Sequence, residues 1–255
     1  MKQTGNTILI TGGGSGIGAA LAQRFHDLGN RVIVAGRRLE ALEETCAGRD
    51  NMAAMQLDID DAAAVEAFAQ RLLTQEPGFN VLFNNAGIMR LEPADTRRDL
   101  AATEATIVTN LLGPIRLINA LVDHLSGQPD AAIVNVTSGL AFVPLIDAAA
   151  YSATKAAIHS YTASLREALK GRVEVIELAP PGVQTDLTPG QANRTAYQPL
   201  DEFADEVMTL FAQVPTPPEI LVERVRPFRN AEAEGRFDET LTQLNDFARK
   251  ARAGS

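Results

Sequence analysis

Short runs rich in Val, Ile and Leu alternate along the chain with longer segments whose apolar residues recur at helical spacing. The runs at 7–10, 31–35, 52–57, 81–83, 131–136 and 173–178 have the mostly apolar character of strands buried on both faces. Between them, Ile17, Ala20, Leu21, Phe25 and Leu28 share one helical face, and so do Val65, Phe68, Leu72 and Leu73. The same spacing links Leu111, Ile115, Ile118, Val122 and Leu125, and then Ile158, Tyr161, Leu165 and Leu169. Strand and helix in strict alternation need right-handed crossovers. The pattern therefore predicts an α/β fold: a doubly wound, Rossmann-like parallel sheet of six strands with helices on both faces. Parallel α/β folds reach about 250 residues as one unit, so a chain of 255 residues without internal repeats is expected to form one domain.

After residue 178 the pattern breaks into a stretch rich in Pro, Gly and Thr, which predicts a loop or lid over about 180–200. A helix is expected over 201–214, with Phe203, Val207, Leu210 and Phe211 inward. Pro215, Pro217 and Pro218 separate it from a second helix expected over 219–225. Phe237, Leu241, Leu244 and Phe247 make a last apolar stripe, which either closes the core or meets another subunit.

Charge narrows the partners. Lys and Arg number 23 against 32 Asp and Glu, a net charge of −9 that repels phosphate polymers and anionic lipid. Nucleic acid and membrane are not expected as partners: no run approaches the 18 or so apolar residues of a span, and the opening residues lack the apolar core of a signal peptide. A cytoplasmic location is expected. The single cysteine, Cys46, allows no internal disulfide and has a structural context. His26 and His159 look like helix-surface residues and His124 sits late in a helix, so no pair has ligand spacing and no metal site is expected.

The first strand runs into Thr11-Gly-Gly-Gly-Ser-Gly-Ile-Gly18 and then a helix. Gly12, Gly16 and Gly18, with Ser15 and Ile17 among them, stand where a backbone must turn tightly and approach a pyrophosphate at a helix N-terminus. A structural turn needs glycine too, but the position between strand and helix favours a nucleotide. A methyltransferase is the natural rival, and would want an acid after the second strand. An NAD site also wants a carboxylate there, about 20 residues past the glycines. This chain has Gly36-Arg37-Arg38 instead. Two guanidinium groups suit a 2′-phosphate, which predicts NADP(H) over NAD(H); as a mere solvated helix start they would oppose the dipole. Asp58, closing the third strand, either accepts from the adenine amino group or caps the next turn.

Tyr151 and Lys155 are four apart at a helix start, which puts phenol and ammonium on one face. A neighbouring cation stabilises a phenolate and is expected to lower the tyrosine pKa, giving a proton relay; the bland alternative is a snorkelling lysine beside a surface tyrosine. Ser138 closes the fifth strand, 13 residues earlier, at the sheet edge where open α/β folds bind ligands. It lacks the Gly-x-Ser-x-Gly elbow of a hydrolase nucleophile. Leu140, Phe142, Val143, Leu145 and Ile146 after it either line a substrate pocket or pack the loop on the core.

Glycine loop, Tyr-x-x-x-Lys and upstream Ser together resemble the short-chain dehydrogenases/reductases over residues 7–188. Asn84-Asn-Ala86-Gly87 is similar to the family's Asn-Asn-Ala-Gly element, and Asn110-Leu-Leu-Gly113 to its Asn-x-x-Gly. Pro181-Gly182-Val183-Gln-Thr185 resembles its nicotinamide-contacting segment. Finer likeness at 138–145 and 156–161 points to the branch of DltE-type oxidoreductases. The resemblance implies Tyr151 as acid–base, Lys155 as the residue that lowers its pKa and bonds the nicotinamide ribose, and Ser138 as the ligand of the substrate oxygen. Asn110 would hold a water on the proton path, and Asn84 is either a cofactor contact or a structural hydrogen-bonder.

The implied function is an NADP-dependent carbonyl reductase or alcohol dehydrogenase for a small or medium substrate. A nicotinamide-binding regulator or scaffold without turnover is one rival, and an epimerase or dehydratase on the same fold another. The chain departs from the family at its end, where the usual last strand and its turn are not recognisable in 219–236. The tetramer contact that strand supports is then in doubt. Small residues along the Tyr151 helix suggest a homodimer through that helix and the Asn110 helix.

Overall fold

The computed structural model describes residues 1–253. In chain order its strands and helices begin β1 (Thr7–Thr11), α1 (Gly16–Asp27), β2 (Arg31–Gly36), α2 (Leu39–Cys46), β3 (Met52–Gln56), α3 (Ala62–Gln75) and β4 (Val81–Asn84). They continue with α4 (Ala101–Ile107), a π-helical turn (Val108–Leu112), α5 (Gly113–Gly127), β5 (Ala132–Val136), α6 (Ala149–Ala168) and β6 (Glu174–Ala179). The last are α7 (Leu200–Phe211), β7 (Glu219–Leu221), α8 (Arg226–Asn230) and α9 (Phe237–Ala253). The sheet has the order β3-β2-β1-β4-β5-β6-β7, and every neighbouring pair is parallel.

The alternation along β1 explains the two-sided core. Ile8 and Ile10 face one way, against Leu21 and Phe25 of α1 and Phe203, Val207 and Phe211 of α7. Leu9 faces the other, against Val65, Phe68 and Leu72 of α3 and Leu117, Leu121 and Leu125 of α5. Phe25 lies 5.2 Å from Phe83 and 5.8 Å from Phe211, ring centre to ring centre, which locks α1 and α7 to the sheet by tilted aromatic packing.

Three expectations need correction. The segment expected as a helix over 219–225 begins instead with β7, three residues that pair with β6 from Glu177↔Glu219 to Ala179↔Leu221. The sheet thus has seven strands, and the last one is present though its sequence turn is not. Second, the helical stretch Ala101–Gly127 has the length and apolar character of a membrane span, with mean hydropathy 1.4 in its most apolar window. Its apolar residues Leu117, Ile118, Leu121 and Leu125 are buried against the sheet, so core packing accounts for them. Third, the final apolar stripe does not close the core: Phe247 is 46% exposed. α9 is instead tied down by Asn245, which accepts from the Ile146 amide at 2.8 Å and donates to the Pro144 carbonyl at 3.2 Å.

Candidate active site

The order of strands reverses direction at β1 and β4, and a crevice opens at their carboxyl ends. Gly12 follows β1 in the left-handed region, φ +68°, where a side chain is strained. A Cβ there would stand 2.9 Å from the Ala86 Cα of the loop after β4. Gly18 is more tightly held, since a Cβ would meet the Gly12 carbonyl oxygen at 2.4 Å. These contacts press the glycine loop flat and leave the N-terminus of α1 facing the crevice. The exposed amides and the absence of side chains fit a dinucleotide pyrophosphate.

The cleft holds about 600 Å³. Gly12, Ser15, Gly16, Ile17, Gly18, Arg37, Arg38, Ala86 and Gly87 all line it, as do Ser138, Tyr151, Lys155, Pro181, Val183 and Thr185. It spans the ends of β2, β1, β4 and β5, three inter-strand steps of about 4.8 Å and so roughly 14 Å across the sheet. Arg37 and Arg38 stand at one end and Ser138 and Tyr151 at the other, the reach an extended dinucleotide needs. Arg38 donates to Ser15 Oγ at 3.4 Å, and Arg37 lies 3.9 Å from Asp60. Asp60 lines the cleft and Asp58 does not: the Asp58 carboxylate accepts from the Asp60 amide, the capping alternative.

Ser138 follows β5 and its Oγ accepts from the Leu140 amide at 3.1 Å, which fixes the side chain at the cleft floor. The Tyr151 hydroxyl faces the Ser138 side chain across the cleft floor, close enough for Ser138 to favour the phenolate. Lys155, one turn along α6, donates to the Val136 carbonyl at 2.8 Å, and its Nζ is 5.6 Å from the Tyr151 ring centre. Both side chains are buried, and burial decides their protonation. Loss of water pushes Tyr151 up to about 12, against the lowering effect of Ser138, and pulls Lys155 down to about 8. The expected depression of the Tyr151 pKa by Lys155 is therefore not found. At neutral pH the phenol holds its proton and is poised as an acid.

Several expected site residues lie outside the cleft lining. Asn110, in the π-helical turn, grips Ile88: it accepts from the Ile88 amide at 2.8 Å and donates to the Ile88 carbonyl at 2.8 Å. Its side chain thus holds the wall of the cleft from behind. Asn84 donates to Asn135 at 2.9 Å inside the sheet, the structural alternative. Gly182 backs onto the Tyr197 ring, where a Cβ would be at 3.1 Å. Val143 is fully buried, and Phe142 packs edge-on against His159, with ring centres 5.2 Å apart, so these two belong to the core and not to a substrate wall. Leu140 joins Leu145, Ala148 and Tyr151 in a small apolar cluster one layer back. Further along the loop over 180–200, Leu187 and Gln191 also reach the cleft.

His159 is not a plain surface residue either. Its Nδ1 meets buried Glu177 at 2.7 Å, which raises its pKa, and Glu177 also accepts from Thr137 at 2.7 Å. Ligand atoms of His159, Glu177 and Glu219 lie within 4.8 Å of one another, a grouping that histidine spacing along the chain does not reveal. Arg229 forks onto Glu219 at 2.9 and 3.1 Å, so the cation in this cluster is a guanidinium. Cys46, partly buried, has its thiol pushed up by desolvation, in keeping with a structural role.

Sequence reasoning missed Asp60, Thr109, Ile88, Met89, Arg90 and Asp186, which also line the cleft. Thr109 sits in the π-helical turn beside Asn110 and the others in loops where no periodicity operates, so only their closeness to Asp58, Asn110 and the Asn-Asn-Ala-Gly and Pro-Gly elements signals them.

A sequence model of the short chain dehydrogenase family matches residues 6–195. The oxidoreductase DltE of Bacillus subtilis is 39% identical over 249 residues, 96% of this chain and 98% of that one. The NADP-dependent 3-hydroxy acid dehydrogenase YdfG of Shigella flexneri is 30% identical over 192 residues, 74% of each chain. Among solved structures, a short chain dehydrogenase from Burkholderia cenocepacia in complex with NADP superposes with a TM-score of 0.82 at 26% identity, over 96% of this chain and 99% of that one. The closed form of serine dehydrogenase complexed with NADP+ gives 0.74 at 27% identity, over 84% and 91%. Matches of this breadth, on the fold and cleft just described, make the chain an oxidoreductase of the short-chain dehydrogenase/reductase family, similar to DltE.

Proposed function

We propose that the protein is an NADP(H)-dependent oxidoreductase that interconverts a carbonyl compound and the corresponding alcohol. The observation that carries this reading is the hydroxyl pair of Tyr151 and Ser138, buried beside Lys155 at the end of a cleft that begins at the glycine loop. Bound there, the nicotinamide would supply the hydride that reduces the carbonyl carbon, NADPH becoming NADP+. Ser138 holds the carbonyl oxygen by a hydrogen bond. Tyr151 gives that oxygen its proton, so C=O becomes CH–OH, and the Lys155 ammonium stabilises the phenolate left behind until it is reprotonated. In the reverse direction the phenolate takes the alcohol proton.

Arg37 and Arg38 support NADP(H) over NAD(H). Both line the cleft past β2, and Gly36 stands where an NAD site would place its acid. The relatives that are NADP-dependent or bound to NADP point the same way.

Nicotinamide oxidation against a panel of aldehydes, ketones and diketones tests the reaction, with NADPH and NADH in parallel. Turnover is expected with NADPH, and Tyr151→Phe should keep cofactor binding while losing most of it. Arg37→Ala should raise the KM for NADPH by about ten- to a hundredfold, the range of charge-assisted hydrogen bonds, and leave NADH nearly unchanged. Equal losses with both cofactors would remove the 2′-phosphate assignment.

A further inference from the structure

The chain after β4 is pinned at closely spaced points around the reacting end of the cleft. A Cβ on Gly87 would lie 3.2 Å from Asn110 Oδ1 and 3.7 Å from Lys155 Nζ. Ile88 is clamped by Asn110 through both its backbone groups. Met89 packs with Tyr151 and Leu145. Three residues further, the Glu92 amide donates to the Asp147 carbonyl at 2.8 Å, beside the start of α6. Arg90 therefore sits on a short span between the Tyr151 cluster and the 145–148 loop, and it lines the same cleft as Ser138 and Tyr151.

Arg90 has no hydrogen-bond or carboxylate partner among the described residues. Arg98 of the same loop lies 3.4 Å from Glu92, Arg37 3.9 Å from Asp60, and Arg194 stacks on Tyr197, while Arg97, like Arg90 without a partner among the described residues, does not line the cleft. The acids that line the cleft are placed elsewhere. Asp60 accepts from Thr109 at 2.7 Å at the Arg37 end, and Asp186 follows Thr185, whose side chain faces Gly16 of the glycine loop. Arg90 is exposed to the solvent of the cleft, and in a chain with nine more acids than bases it is left without a carboxylate of its own. Its fixed fork of donors matches a carboxylate in two parallel hydrogen bonds.

We propose that Arg90 anchors a carboxylate of the substrate, so that the compounds reduced and oxidised here are oxo and hydroxy acids whose reacting carbon lies a few bonds from the acid group. The proposal rests on the reduction reading above for its chemistry and on the cleft geometry for its site.

The test pairs each of a series of oxo acids, from 2-oxobutanoate to 5-oxohexanoate, with its methyl ester. Wild-type protein and Arg90→Leu and Arg90→Lys variants are compared with NADPH. At least one acid should be reduced with kcat/KM above that of its ester. Arg90→Leu should lower the acid value by about ten- to a hundredfold, chiefly through KM, and leave the ester value and the KM for NADPH unchanged. Arg90→Lys should restore part of the loss. A second readout needs no turnover: butanoate, but not butanamide, should raise the melting midpoint of the NADPH-bound wild type, and Arg90→Leu should abolish that shift. Esters reduced as well as acids, or equal losses for both in Arg90→Leu, would overturn the anchor and leave the reduction standing. A butanoate shift that needs Arg90, with no oxo compound reduced, would support the anchor and overturn the reduction. Neither turnover nor a shift would overturn both.

Discussion

Lys155 shows how a single residue can serve chemistry at a cost to the fold. Its ammonium is buried with the Val136 carbonyl as its one hydrogen-bond partner among the described residues, and its pKa falls to about 8 from 10.5. Below pH 8 the folded state therefore keeps a charge that water would solvate better, an opposition on the order of 3 kcal/mol at about 1.4 per pKa unit. Between 8 and 10.5 the folded protein sheds the proton while the unfolded chain still holds it, so stability rises with pH there. Lys155→Met, which keeps the length of the side chain, is expected to melt higher than wild type at pH 7 while losing turnover. The advantage should narrow as pH rises from 8 to 10, as followed by thermal denaturation at each pH. The spacing of Tyr151 and Lys155 was legible in the sequence because four residues make a helical turn. The direction of the Tyr151 shift was not, because burial is set by β5, the 145–148 loop and α9, which come from distant parts of the chain.

Among elements, the β1–α1 turn was the most legible and β7 the least. Glycines between an apolar run and an amphipathic helix leave one geometric use, and the structure gives it: Gly18 has its Cβ position filled by the Gly12 carbonyl. Gly18→Ala should therefore force the turn apart, destabilising the fold by about 1–3 kcal/mol as overpacking does and weakening NADPH binding. Gly127 ends α5 with nothing within 4 Å of its Cβ position. Gly127→Ala is the control, expected to be neutral or to stabilise by up to about 1 kcal/mol. Chemical denaturation of both variants with NADPH titration separates the two effects. β7, by contrast, has three residues, too few for a period of two to be told from a helical turn. Its pairing is specified by β6 beside it, a tertiary cause that local pattern does not carry. The same holds for Phe142, an apolar residue after Ser138 whose direction is set by the His159 and Arg229 side chains packed around it.

At the scale of the whole molecule, α6 turns a face of small exposed residues outward, including Ala153, Ala156, Ser160 and Ala163. Ile107, just before the π-helical turn, and Leu112, its last residue, are each 38% exposed. We propose that these faces pair in a homodimer, since small side chains allow close helix approach and the two leucine-sized groups would otherwise stay wet. Light scattering at micromolar concentration should give twice the chain mass, and Ala156→Arg should give the monomer with its fold intact by circular dichroism. A monomeric wild type would end that assignment. The two ends of the described chain also differ in what they touch. Met1 contacts Glu174 at the amino edge of the sheet, away from the cleft. α9, through Asn245 and Ala248, braces the loop that backs Tyr151. A purification tag or fluorescent fusion is accordingly silent at neither end: ahead of Met1 it removes the terminal ammonium that meets Glu174 and Thr216, and behind α9 it would load the strut behind Tyr151, so that a sluggish preparation could be blamed on the sequence when the handle was at fault.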